Sequence, residues 1–246
     1  MKLIKTRLQN GLTLWYRADD KFIGQRIALA KYEEYESILI LRNVNKSSVV
    51  IDVGANIGYY TLLLATVCKK VYAFEPDKTC FEILEKNIRE NNLNNVVLFN
   101  SAVGDKNEKV GIILDDNNFG NSRVGKGKNV DCIRLDDVIK EKVDLIKIDT
   151  QGWEPKVILG AKKIIKKYKP ILFLEFNGDY KMINFLKKHY KNIFTIDYWF
   201  YILRSGIKID NKTGYADLVL GIKHNIFEQY RGLQWKKVIK KIFKVK

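Results

Sequence analysis

Apolar and polar positions alternate along most of the chain in a way that names its elements. "VVIDV" (49–53) is apolar everywhere except Asp52, as a strand buried on both faces would be. Directly after it Tyr60, Leu63, Leu64 and Val67 recur at helical spacing. Repeated onward, this pattern predicts strands at 49–53, 70–74, 96–99, 143–148 and 171–176, with helices at 58–68, 77–91, 155–168 and 179–190. Alternating strands and helices imply a parallel sheet with helices on both faces. Two later apolar runs, "IFTIDYWFYIL" and "YADLVLGIK", have no helix between them and are expected to close the sheet as an antiparallel hairpin. Ahead of this pattern, "LTLWYRA" reads as a strand and "YEEYESILILRNV" as a helix. The stretch "DDNNFGNSRVGKGKN" (115–129) is Gly/Asn-rich and basic, and reads as a long loop of the lid type. The expected organisation is a lead-in or cap (1–48), an α/β domain (49–229) and a separate C-terminal helix (230–246).

Composition narrows the class. At 246 residues, 46% hydrophobic and 29% charged, the chain can bury one real core. No segment nears the roughly 18 apolar residues of a membrane span, and the first residues lack the apolar centre of a signal peptide, so a cytoplasmic location is expected. Cys68, Cys80 and Cys132 make neither an even disulfide set nor a CxxC pair, and read as inert core thiols in a reducing compartment. His189 and His224 have no partners at ligand spacing. The net charge of +16 points to an anionic partner, and seven of the positive charges, with no acid, fall in residues 231–246. There Trp235, Val238, Ile239, Ile242 and Phe243 form one helical stripe with lysines opposite. Such a helix could lie on an anionic membrane through residues 234–246 at the inner face of a membrane, or dock on its own fold.

Chemistry is concentrated where the period changes. Asp52, Gly54, Ala55, Asn56 and Gly58 form a tight turn between strand and helix, where free backbone N–H groups can face a ligand. Glu75 follows Gly58 by 17 residues at the end of the next strand, about where nucleotide-binding folds place an acid on ribose hydroxyls. The turn lacks the Gly-Lys-Ser/Thr of a triphosphate site, and it reads GxNxG rather than GxGxxG. A carboxylate at Asp52 would repel a pyrophosphate but suits a ligand with an amino group and a sulfonium, which S-adenosylmethionine carries.

The ordered motifs "VVIDVGANIGYYT", "VYAFEPD", "NSAVGD", "IRLDDV", "VDLIKIDTQGWEPKVILGA" and "ILFLEFN" resemble the FkbM family of S-adenosylmethionine-dependent O-methyltransferases over residues 30–178. The resemblance implies an α/β class I methyltransferase (Rossmann-like) sheet of about seven strands, mostly parallel, ending in an antiparallel hairpin. By position it implies that Asp52, Gly54, Ala55, Asn56 and Gly58 hold the methionine part. Glu75, followed by Pro76, would take the ribose, and Asn100, Ser101 and Ala102 would flank the adenine. One position departs: Gln151 in "DTQGWE" stands where many members carry Glu. The family's usual acceptors are hydroxyls of sugars, glycans or other small metabolites.

Transfer to a hydroxyl needs alignment and a proton acceptor. Asp149 ends the fourth strand, Glu175 and Asn177 end the fifth, and Glu154 opens the next helix; Asp149 is the first choice of base, and Glu154 serves equally well as a helix cap. Asp149, Glu175 and Asn177 could instead ligate Mg²⁺, although metal-independent base catalysis is favoured. Two rivals are a nucleic-acid methyltransferase, for which "DYWFY" (197–201) could stack bases, and a binding module that kept the cofactor pocket without catalysis.

Overall fold

The computed structural model describes residues 1–29, 32–115, 122–176, 179–191, 193–197, 202–205 and 216–220. The chain starts with an antiparallel hairpin, β1 (Leu3–Arg7) and β2 (Thr13–Arg17), then α1 (Gly24–Ala28) and α2 (Glu34–Arg42). Alternation follows with β3 (Val49–Val53), α3 (Tyr59–Ala65), β4 (Lys70–Phe74), α4 (Lys78–Glu90) and β5 (Val96–Phe99). A small sheet of β6 (Ala102–Val103), β7 (Glu108–Ile113) and β8 (Arg123–Ile133) leads into α5 (Leu135–Val138). The main sheet resumes with β9 (Leu145–Ile148), α6 (Glu154–Gly160), α7 (Lys162–Tyr168) and β10 (Ile171–Phe176). Next come α8 (Tyr180–Lys187), β11 (Ile193–Asp197), β12 (Ile202–Ser205) and β13 (Ala216–Leu220).

Five strands, in the order β10-β9-β3-β4-β5, form a continuous parallel sheet. Past β10 the order continues β13, β11, β12, each antiparallel to its neighbour, for eight strands in all. The expected count of about seven rises because the apolar run over 193–203 divides into two strands. The segments joining these last strands lie outside the described residues, as does the basic stretch 230–246. Helices cover both faces: Leu39, Leu62, Leu64 and Leu84 pack one layer, while Leu135, Val157, Ile165 and Leu186 pack the other.

Caps set the helix starts that position the site. The Asp77 carboxylate accepts from the Cys80 N–H at 2.7 Å, and the Asp179 carboxylate from the Met182 N–H at 2.9 Å, satisfying first-turn donors of α4 and α8. Asn87 on α4 and Asn91 at its C-terminal cap stand one turn apart and grip the edge of β2. Asn87 accepts from the Trp15 N–H at 2.6 Å and donates to the Trp15 carbonyl at 3.0 Å; Asn91 does the same for Thr13 at 2.8 and 2.6 Å. Two side chains thus pair an edge strand that would otherwise leave its backbone groups open. A further Asn87 bond, to the Ile57 carbonyl at 2.8 Å, ties the same clasp to the turn after β3.

Two expectations are corrected. The helix read over 155–168 is broken at Ala161, because the Lys163 and Ile164 N–H groups donate to the Asp136 carboxylate instead of continuing the ladder. Much of the loop read over 115–129 is strand: β8 pairs with β7, with a bulge after Val110. Gly127 serves close backbone approach to Gly111 of β7, and Gly125, paired with Gly111, leaves room for the Ile113 side chain. All three cysteines are free and buried, and burial pushes the Cys132 thiol up to about 11 and the Cys68 thiol up to about 12. Among the described residues, no helix is long and apolar enough to cross a membrane.

Candidate functional site

The C-terminal ends of β3, β4, β9 and β10 open on a cavity of about 380 Å³. This is the place where open α/β sheets bind ligands.

One wall is the turn after β3. Gly54 (φ +79°), Asn56 (φ +51°) and Gly58 (φ +97°) all take left-handed backbone, which lets five residues reverse direction over the end of β4. Gly54 is required twice over, because a Cβ there would also strike the Asp149 carbonyl. The Gly54 and Ala55 N–H groups both donate to the Phe74 carbonyl at 3.0 Å. Glu75 faces this turn from β4. Its Oε2 accepts from the Asn56 N–H at 2.7 Å, and its Oε1 from the Asp77 N–H at 2.8 Å. Burial outweighs those two bonds and pushes the Glu75 carboxyl up to about 7. Pro76, Ser101 and Ala102 continue the wall. The Ser101 hydroxyl is buried and has no hydrogen-bond partner among the described residues. Asn100 is exposed and stays off the cavity; its amide donates to the Glu75 carbonyl at 2.9 Å and so braces the strand end.

The opposite wall is a web of charges. Asp149 Oδ2 accepts from Lys147 Nζ at 3.4 Å, and Oδ1 accepts from Gln151 Nε2 at 3.0 Å. Gln151 also reaches Glu175 Oε2 at 3.5 Å, so one amide bridges the ends of β9 and β10. Lys147 is buried, lies 3.9 Å from Asp52 Oδ1, and sits 4.6 Å from the centre of the Tyr60 ring. Tyr60 in turn donates its hydroxyl to Glu33 Oε2 at 2.6 Å. Burial pulls the Lys147 ammonium down, but Asp149, Asp52 and Glu33 together outweigh it and hold it above its ordinary value. Burial pushes the Glu33 and Asp52 carboxyls up, and Lys147 pulls both part of the way back.

The structure therefore brings Gly54, Ala55, Asn56, Glu75, Pro76, Ser101, Ala102, Asp149 and Glu175 to one cavity and leaves four other expected residues off its lining. Asp52 is wholly buried beneath it, accepting from the Thr61 hydroxyl at 2.7 Å. Gly58 packs on Leu84, and Asn100 acts as described above. Glu154 holds the loop after β9: its Oε1 accepts from the Thr150 and Gly152 N–H groups at 3.0 and 3.1 Å and from the Thr150 hydroxyl at 3.0 Å. That loop needs holding, because Gln151 (φ +53°) and Gly152 (φ +98°) are both left-handed. Asn177 lies outside the described residues, and among these no trio of His, Cys, Asp or Glu is arranged to hold a metal ion.

Among the cavity residues that escaped the sequence reading are Glu33, Tyr60 as a polar group, and Lys147. Lys147 had a signal, since it is a charged residue in a strand apolar on both faces, and in the parallel register it stands beside Asp52 on β3.

The model of the Methyltransferase FkbM domain matches residues 52–198, more than half of the chain. Over 151 residues the chain is 28% identical to a Methanocaldococcus jannaschii protein named as a cobalt-precorrin-6B C(15)-methyltransferase (decarboxylating), covering 61% of this chain and 75% of that one. A shorter stretch of 55 residues is 46% identical to the same organism's tRNA(Phe) (4-demethylwyosine(37)-C(7)) aminocarboxypropyltransferase, covering 22% of each. The crystal structure of Trm5b from Pyrococcus abyssi superposes with a TM-score of 0.51 at 15% identity, over 89% of this chain and 55% of that one. That likeness is one of fold, and the chain spans about half the length of the protein it matches there.

Proposed function

The chain belongs to the methyltransferase FkbM domain family, and from that premise we propose that it moves a methyl group from S-adenosylmethionine to a hydroxyl of a sugar, glycan or similarly small polar molecule. The observation that carries the choice of acceptor is the wall of Asp149, Gln151 and Glu175, faced by Glu33. Ionised carboxylates accept hydrogen bonds from vicinal hydroxyls and repel a phosphate backbone.

The other wall suits the donor. A ribose offers two hydroxyls to Glu75, the glycine turn lets a ligand lie against backbone, and the unpartnered Ser101 hydroxyl is a ready contact for an adenine. When bound, the cofactor supplies a sulfonium methyl carbon that an oxygen lone pair attacks while the C–S electrons leave with sulfur. Asp149 takes the hydroxyl proton. Lys147 and Gln151 each donate a hydrogen bond to that carboxylate and together fix its orientation.

The donor wall makes a pH prediction. Glu75 must be ionised to accept two ribose hydroxyls, and its folded pKa is raised to about 7. Affinity for S-adenosylhomocysteine should therefore be weak below pH 7, rise through it and level off above. Calorimetry across pH 5.5–8.5 reads this, and Glu75→Gln should flatten the profile; an unchanged profile in the variant removes Glu75 from the ribose.

Acceptor class is tested with radiolabelled donor on a panel of nucleotide sugars, glycans and polyols, with transfer RNA alongside. Label on a hydroxylated small molecule supports the proposal. Label on RNA alone would move the reading toward nucleic acid, which the overall charge of +16 favours. Cofactor binding without transfer to anything would leave a binding module.

A further inference from the structure

We infer that the outer face formed by α7 and α8 is a docking surface for an anionic lipid bilayer. Between Lys162 and Lys191 the chain carries nine lysines and only two acids, Glu175 and Asp179. Neither acid lies on that face: Glu175 lines the cavity and Asp179 caps α8. Lys163, Lys166, Lys167 and Lys169 are exposed on and just beyond α7, and Lys181, Lys187, Lys188 and Lys191 are exposed on and just beyond α8. The two helices are neighbours, since Lys162 Nζ lies 5.9 Å from the centre of the Phe185 ring. None of the nine ammonium groups pairs with a carboxylate among the described residues. The contrast with the opposite layer is plain: exposed α4 mixes Lys78, Glu82, Arg89 and Glu90, and Lys78 lies 4.0 Å from Glu82.

A face of one sign builds a potential that must be neutralised by something outside the protein. The chemistry of the face selects a bilayer over a nucleic acid. All its cations are lysines, compact hydrated point charges suited to the smeared field of anionic headgroups; no arginine between 162 and 191 offers a fork for phosphates or bases. Its aromatic rings, Tyr168 and Phe185, are half-buried rather than free to stack on bases. The sequence from 234 to 246 points the same way. It adds lysines at helical spacing opposite an apolar stripe of Trp235, Ile239, Ile242 and Phe243, which a bilayer can bury and a nucleic acid cannot.

The test is co-sedimentation of the full chain with phosphatidylcholine vesicles with and without about one-third phosphatidylserine. The wild type should pellet with the anionic vesicles only. Replacing Lys166, Lys167, Lys187 and Lys188 together by glutamine should cut partitioning at least tenfold while S-adenosylhomocysteine binding, a readout of folding, stays unchanged. A second full-length variant, with Trp235, Ile239 and Phe243 changed to serine, separates the helix face from the tail. If the glutamine variant partitions like wild type, or the wild type stays in the supernatant at low salt, the inference is overturned. It is overturned as well if RNA, at the same salt, displaces the protein from vesicles and its binding is lost in the glutamine variant.

Discussion

Asparagine at position 149 should slow methyl transfer about a thousandfold and leave S-adenosylhomocysteine affinity within a few-fold of wild type, as expected when a proton acceptor acting only in the transition state is removed. The substitution is nearly isosteric, so Gln151 can still bond to the side-chain oxygen that Asp149 Oδ1 now provides. Lys147 keeps the ion partner Asp52, so the wall should hold its shape. What disappears is the carboxylate that accepts the hydroxyl proton. Single-turnover rates with preformed cofactor complex separate this step from binding, and EDTA in the same assay separates base catalysis from assistance by a metal. Retained transfer in Asp149→Asn would pass the role of base to Glu33 or Glu175.

Replacing Lys147 by methionine should cost about 3–5 kcal/mol of stability, the usual penalty for leaving a buried partner charge uncompensated. For a chain of this size that is a fall in melting temperature of roughly 10 °C. The stem of the new side chain fills the same space, but Asp52, wholly buried and now facing methionine, must either stay ionised without a counter-charge or take up a proton. Burial already raises the folded pKa of Asp52 above its unfolded value. Protonation of such a group favours the folded state, so stability from it is present at low pH and lost as pH rises through the folded pKa. The variant should thus be weakest at neutral pH, and its deficit should shrink on acidification. Adding Asp52→Asn should restore much of the loss. Thermal melts of the single and double variants, taken across pH, read both effects; equal melting of wild type and Lys147→Met would show that the ammonium does not hold these acids together.

Strand and helix positions were legible where one physical signal dominated. "VVIDV" has no partner pattern other than a buried strand, and β3 spans those five residues, all buried. The turn after it was legible because left-handed backbone demands residues such as Gly54, Asn56 and Gly58. Glycine misled where it serves packing. In Gly160, Gly111 and Gly127 it admits another backbone and in Gly125 the Ile113 side chain, and from the sequence alone that use looks the same as a turn. The site was half legible for a related reason. Glu75 and Asp149 end strands and announce themselves by position, whereas Glu33 reaches the cavity from a lead-in whose place over the sheet is set by tertiary contacts. Lys147 acquires its partner only when β3 and β9 come into register and set it beside Asp52.

The asparagine clasp on α4 bears on how such a chain can diversify. The wall with Glu75 comes from inside the segment shared with the family, which begins at residue 52, while Tyr32 and Glu33 come from ahead of it. The β1–β2 hairpin that leads to those residues is fastened by Asn87 and Asn91 through main-chain atoms of Trp15 and Thr13, whatever side chains stand at those positions. A lineage can therefore rewrite the front segment, and with it the Tyr32–Glu33 side of the cavity, while Glu75, Asp149 and Glu175 stay within the shared segment.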